Sequence, residues 1–335
     1  MKRNNLIGLT TAAVTVIALA VGAVVNANDV ALNGTYSTLT LSQVGTELDP
    51  VIVNGNGATV QCLKITGQYL EVNNVTVTGC SSHGVLITGK HVTFQDSRVF
   101  GNVTENGSTK CSGSGSWGSG VKVQVGGEDV TIRNNTVYNN CGEGIAATRG
   151  IGVVIEGNTV YDNFSVNVYI DNSPNSAARG NLIYNTTDSR YYRNNAPAVC
   201  VLLGTENYAG WGNQLTNVTV EGNTIKDCPK GIRFYGEVGG IISGANVVIR
   251  DNTFTNVPSP QVNVPGAIVS GTPAGVTRTP TATRNTPTPT NTPLPRTATA
   301  TAIPSVTRTP TATPQVTPSP VCVEDATIRI CYWLK

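Results

Sequence analysis

The segment Val130-Thr-Ile-Arg-Asn-Asn-Thr-Val-Tyr-Asn-Asn140 returns 23 residues later as Val153-Val-Ile-Glu-Gly-Asn-Thr-Val-Tyr-Asp-Asn163. Ala177-Ala-Arg-Gly-Asn-Leu-Ile-Tyr-Asn185 keeps the same step, so Asn135, Asn158 and Asn181 fall into one column and Val137, Val160 and Ile183 into another. Weaker copies run over Val92 to Asn102, Val218 to Asp227 and Val247 to Asn256. Apolar residues alternate within each copy, as in Val130/Ile132, Val153/Ile155 and Val247/Ile249, and short alternation bounded by Gly and Asn marks strands. A unit of about 22 residues with three short strands cannot bury its apolar side alone, so the copies must stack and share a core. The expected fold is all-β, a right-handed parallel β-helix (a solenoid) over residues 28–268, with rungs about 4.8 Å apart. Asparagine suits its column because it tolerates the left-handed backbone of a tight turn and because stacked amides can bond from rung to rung. The sequons that begin at Asn74, Asn134 and Asn217 are read as turn chemistry of the same kind in preference to glycan acceptors.

Low aromatic (6%) and charged (13%) content argues against a mixed α/β globule, and a net charge of +2 excludes a nucleic-acid footprint. Residues 1–27 read as a signal peptide: Lys2 and Arg3 lead, Leu6 to Val25 is largely apolar, and Val25-Asn26-Ala27 fits a cleavage site. An uncleaved anchor is the alternative. The mature protein is expected to be secreted or at the cell surface, outside the membrane and monomeric. Eight cysteines fit an oxidising compartment. Cys80 and Cys141 occupy comparable turns with Cys111 in an insertion between them, so a Cys80–Cys111 or a Cys111–Cys141 bridge is expected. From Gly271 to Pro320 the chain carries eleven prolines, four arginines and no acidic residue. Residues 269–320 are therefore a disordered Thr/Pro-rich linker, and 321–335 a short tail closed by Cys322 and Cys331.

The Gly-Asn-Thr-Val-Tyr and Asn-Asn-Thr-Val-Tyr turns, with the opening Asn33-Gly-Thr-Tyr36, Gly45-Thr46 and Pro50-Val-Ile-Val53, carry a resemblance over residues 31–257. The chain resembles the pectate-lyase-like right-handed parallel β-helix family, secreted and carbohydrate-active. The resemblance implies that substrate lies against the first strand of each rung, beside the loop that precedes it. The strands so placed are Val85 to Thr88, Val121 to Gln124, Ile145 to Thr148, Val168 to Asp171, Val199 to Leu202 and Ile232 to Tyr235. Alternation sends one parity inward and leaves Leu86/Thr88, Lys122/Gln124, Ala146/Thr148, Tyr169/Asp171, Cys200/Leu202 and Arg233/Tyr235 as an outward strip. His83, Glu143 and Lys230 stand just before these strands, and Arg149 follows the third.

Insertions at 103–119, 186–197 and 205–216 flank the strip and carry Trp117, Tyr191, Tyr192, Tyr208 and Trp211. Pyranose C–H faces stack on aromatic rings while hydroxyls bond to polar side chains, so the strip points to a polysaccharide, although the same rings could simply pack the loops. For β-elimination on an acidic polysaccharide, Lys122 is the candidate base and Arg149 or Arg233 the carboxylate partner; the alternative for Lys122 is a solvated surface lysine. Substrate contacts are expected from His83, Glu143, Tyr169, Asp171, Tyr191, Tyr192, Trp211 and Tyr235, and Ca²⁺ is a candidate cofactor at Glu143 and Asp171. Two carboxylates could also serve hydrolysis, yet Glu143 and Asp171 sit at opposite ends of neighbouring strands. The paired aspartates with Gly-His-Gly of polygalacturonases, the Asp-Pro-His of mannuronan epimerases and the clustered aspartates of pectate-lyase calcium sites are absent; Ser82-His83-Gly84 is a partial echo. A lyase or epimerase type of enzyme is the leading expectation, and a non-catalytic glycan-binding or adhesive surface protein the alternative.

Overall fold

The computed structural model describes residues 30–113, 115, 117–211, 215–236, 246–261 and 267–270, and the backbone alone at 262, 274–277, 321–325 and 328–332. The expected signal peptide and residues 278–320 of the expected linker lie outside the described residues.

Each full rung consists of three short strands joined by sharp turns, and every pairing between rungs is parallel. In the rung that carries the second copy of the repeat these strands are Glu143–Thr148, Val154–Glu156 and Thr159–Tyr161. Their equivalents stack into a front, a back and a flank sheet. The register is that of the repeat: Val137, Val160 and Ile183 are neighbours, as are Ile132, Ile155 and Ala178. All six are fully buried, in a core that runs unbroken from Leu32 to Val257. The earliest rungs differ, because Thr59–Ile65 is one strand that pairs through Thr59 with the flank and through Leu63 with the front. Pairing continues past residue 268: Ile268–Ser270 joins Val247–Arg250, and Ala274–Thr277 joins Thr253–Thr255. In a separate unit, residues 282–335, Val321–Asp325 and Ile328–Tyr332 form an antiparallel hairpin with Cys322 opposite Cys331; the expected bridge between their sulfurs lies outside the described residues.

The turn after the back strand divides its work between two positions. Asn134, Gly157, Gly180, Gly222 and Asp251 take the left-handed conformation, and the residue that follows each one points its amide inward. Asn135, Asn158, Asn181, Asn223 and Asn252 form a buried ladder in which each Oδ1 accepts from the backbone N–H and the Nδ2 of the preceding rung at 2.9–3.1 Å. The Asn column thus has one function, amide bonding, and its predecessor has the other. The sequon asparagines Asn74, Asn134 and Asn217 are all left-handed residues. A second ladder, formed by the asparagines that end the repeat copies, follows the flank strand: Asn102, Asn140 and Asn163 link in series, and Asn167 of the next front strand continues them to Asn185. On the outer side of the flank, Phe100, Tyr138, Tyr161 and Tyr184 stack with ring centroids 4.7–5.0 Å apart.

Cys111–Cys141 is bridged, as one of the two expected alternatives, and Cys62–Cys80 and Cys200–Cys228 are further bridges. The Cys200 bridge corrects the expected alignment. Val168 and Ile170 pair with Val201 and Leu203, two residues further along than expected; such a shift keeps the parity, and Cys200 leaves the outward strip because it lies at the start of the strand, opposite the buried Asn167, where it is buried and bonded to Cys228.

Candidate functional site

The outward column of the front sheet runs Lys64, Leu86, Lys122, Ala146, Tyr169, Leu202 and Arg233, and beside it Thr148, Asp171, Gly204 and Tyr235. Alternation places these side chains outward, but the insertions cover the centre of the sheet. Lys122 is 6% exposed, Tyr169 4%, Thr148 3% and Asp171 0%. The expected solvent strip is therefore closed at its centre and open towards both ends: Lys64 is exposed and Leu86 and Thr88 are half-buried at one, and Arg233 is half-buried and Tyr235 40% exposed at the other. Loops that carry their own cores provide the cover: Val103, Cys111, Cys141 and Phe164 cluster with Tyr191 against them.

Two polar groups occupy this face. At the start of the strands, the Lys122 ammonium donates to Glu143 Oε2 at 3.1 Å, Ser119 Oγ donates to the same oxygen at 2.7 Å, and His83 Nδ1 accepts from the Ser119 N–H at 3.2 Å. Burial, reinforced by the Lys122 charge and opposed by Glu105, lowers His83 to about 4; the ring is neutral at physiological pH, with its remaining proton on Nε2.

The second group lies at the far end of the strands. Tyr208, on the insertion that leaves the front sheet, places its hydroxyl 2.7 Å from Asp171 Oδ2 and 2.8 Å from Glu206 Oε2. Tyr169 donates to Glu206 Oε1 at 2.6 Å. A phenol holds one proton and donates only once, so with both Tyr208 contacts at hydrogen-bond length the second bond requires a proton on a carboxyl. Asp171 suits that role: burial pushes it up to about 6, with Glu206 and Glu143 adding to the rise and hydrogen bonds from Tyr208 and from the Glu206 N–H opposing it. Burial likewise raises Tyr169 and Tyr208 far above the ordinary phenol value. The Arg149 guanidinium lies 4.2 Å over the Tyr208 ring, and Arg149 itself is a left-handed residue whose N–H donates to the Asp171 carbonyl. Trp211 closes the group by donating from Nε1 to the Asn172 carbonyl at 2.9 Å.

The expected catalytic residues are not gathered at one point. Lys122 and Arg233 share a column but are four rungs apart, about 19 Å at 4.8 Å per rung, too far to act on one sugar. Of the expected substrate contacts, Tyr169, Asp171 and Trp211 meet in the second group and His83 and Glu143 in the first. Tyr191 packs the 103–118 loop, and Tyr192 donates to the Thr186 carbonyl within its own loop. The residues present do not fit a Ca²⁺ site. Glu143 is taken by Lys122 and Ser119 and Asp171 by Tyr208, and among the described residues no three His, Cys, Asp or Glu side chains gather as metal ligands. Sequence reasoning missed Glu206. The available signal was Glu206-Asn-Tyr208, an acidic and an aromatic residue where the insertion leaves the front strand.

No curated protein sequence matches the chain significantly. Among solved structures it is similar to pectate lyase Pel9A (17% identity, 72% of this chain and 70% of that one, TM-score 0.50). It is also similar to the A-module of a mannuronan C-5 epimerase from Azotobacter vinelandii (17%, 65% and 62%, 0.45), and to an alginate lyase from Paenibacillus sp. (17%, 71% and 91%, 0.41). At such identities the likeness is one of fold. The family model described as right handed beta helix region matches residues 51–187 and 102–277, and the chain belongs to that family.

Proposed function

We propose that this is a secreted polysaccharide-active β-helix protein of lyase type, acting on a carboxylated glycan at the Asp171–Tyr208–Glu206 group. The carrying observation is the single phenol hydroxyl within hydrogen-bond reach of two carboxyls, one of which, Asp171, is raised to about 6 by burial. Elimination next to a uronate requires a base for the C5 proton, an acid for the departing oxygen and a cation for the sugar carboxylate. The protonated and ionised carboxyls supply acid and base within one sugar's span, and Arg149 supplies the cation. Lys122, whose ammonium is committed to Glu143, is assigned to holding the first group together. Secretion is supported by the three described disulfides.

Incubation with pectate, alginate and glycosaminoglycan panels tests this reading. Unsaturated uronate absorbance should rise with the natural protein and fall by about 10²- to 10⁴-fold with Asp171→Asn or Glu206→Gln, the usual range for loss of a general acid or base. New reducing ends without that absorbance would make it a hydrolase, and no product of either kind would end the enzymatic reading. Glycan binding without turnover is the second reading. It is favoured by Trp117, half exposed with the Arg193 guanidinium 4.5 Å from its ring, and retention on a glycan array that Trp117→Ala abolishes would support it.

A further inference from the structure

We propose that residues 206–211 form a proton-operated strap, closed over the front sheet when the Asp171–Tyr208–Glu206 chain holds an extra proton and released when it loses it. This rests on the reading above, because the strap itself carries Glu206 and Tyr208: the closed, protonated state holds the acid–base pair together and the released state takes it apart.

Several fastenings of the strap converge on Asp171 and its neighbour. Glu206 N–H donates to Asp171 Oδ1 at 3.3 Å, Asn172 Nδ2 to the Glu206 carbonyl at 2.8 Å, and Trp211 Nε1 to the Asn172 carbonyl at 2.9 Å. The Tyr208 and Tyr169 bonds to the carboxyls and the Arg149 guanidinium over the Tyr208 ring fasten it further. With Asp171 protonated, the chain Asp171–Tyr208–Glu206 has a proton for every link. With both carboxyls ionised, one link has no proton, and two anions face each other beneath a phenol at short range.

The groups that face Asp171 decide how the strap responds. Tyr169 comes from its own strand, Glu143 and the Arg149 guanidinium from the preceding rung, Arg233 and Tyr235 from the rungs that follow, and Glu206 and Tyr208 from the strap. Arg149 is the cation set over the strap, and it lies on the face of the Tyr208 ring. No bond links its guanidinium to either carboxylate among the described residues, and its Nε is buried without a partner. The carboxyls therefore keep their need for a proton.

Closure also has a cost that opening removes. Thr148 Oγ1 and Thr205 Oγ1 are buried without partners together with Arg149 Nε, and the register places all three within one rung of Asp171. Buried polar atoms without bonds disfavour the state that buries them, which works against closure.

Trp211 reports the strap directly. In the full chain carrying Trp117→Phe and Trp333→Phe, acrylamide quenching of Trp211 is to be followed from pH 4.5 to 8 without any glycan. The expected result is a severalfold rise in quenching as a one-proton step with its midpoint near pH 6. Asp171→Asn, which keeps a donor at the bridge, should stay protected throughout, and Tyr208→Phe should be quenched even at pH 4.5, both with unchanged far-ultraviolet circular dichroism. Trp211 quenching that is flat across this range in the natural protein, or a step that survives in Asp171→Asn, would overturn the strap. If a variant fails to fold, the protection of the Trp211 indole proton against hydrogen exchange in the natural protein makes the same decision. Because no substrate takes part, failure here leaves the glycan reading standing, and failure of the panels leaves the strap standing.

Discussion

At the scale of single residues, Asp171 and His83 pull the pH dependence of stability in opposite directions. Asp171 has a folded value raised to about 6, so its contribution is fully present below about pH 4 and is gone once pH has passed about 6. The change totals about 3 kcal/mol at 1.36 kcal/mol per unit. His83 is depressed to about 4, so its contribution is present above about 6.5 and is lost as pH falls through the folded value. The two partly cancel in the natural protein. Urea unfolding at pH 4.5 and 7.5 should therefore show Asp171→Asn losing more stability on acidification than the natural chain. A variant with the same slope as the natural chain would contradict the burial assigned to Asp171. Neither value was legible in the sequence. His83 and Asp171 were identifiable as polar residues near a strand, but their environment is made by Glu105, Glu206 and Tyr208, which arrive from insertions outside the repeat.

At the scale of strands and turns, the repeat was readable because identical positions meet identical neighbours. Val137, Val160 and Ile183 are in register as spaced. Reading failed where the repeat stretches. The insertion at 186–197 shifts the pairing of the next front strand by two residues, and simple alternation does not hold at its first residues, where Cys200 is in the core. The covering of the front sheet was equally hidden, since alternation specifies a direction but not what lies beyond it. The ladder permits a sharper test. Asn158 Oδ1 accepts from Asn135, and its Nδ2 donates to Asn181 and to the Ile132 and Glu156 carbonyls. Asn158→Ala should cost about 2–4 kcal/mol, because it leaves several buried groups unpaired at about 1–3 kcal/mol each. Asn217→Ala, at an exposed left-handed position, should cost less, about 1–2 kcal/mol. Chemical denaturation of the two variants side by side checks the contrast.

At the scale of the whole coil, each rung touches only its neighbours, so protection should be graded along the axis. Amide exchange is expected to be slowest in the central rungs around Val160 and fastest in the final described rung, where Ile268 and Val269 are more than half exposed. Uniform exchange along the coil would contradict a nearest-neighbour solenoid. Reduction should loosen the structure too, since the three described bridges close loops of 18–30 residues, each worth about 3–4 kcal/mol in the chain-entropy account. The stacked rings of the flank carry a consequence of another kind. Tyr138, Tyr161 and Tyr184 lie face to face at 4.7–5.0 Å, with interplanar angles of 6° and 9°. At that range the ultraviolet transitions of neighbouring phenols couple, and light absorbed by one is shared along the row. The coil thus contains its own optical gauge: a near-ultraviolet dichroic band that reads the spacing of consecutive rungs and disappears when any two of them part.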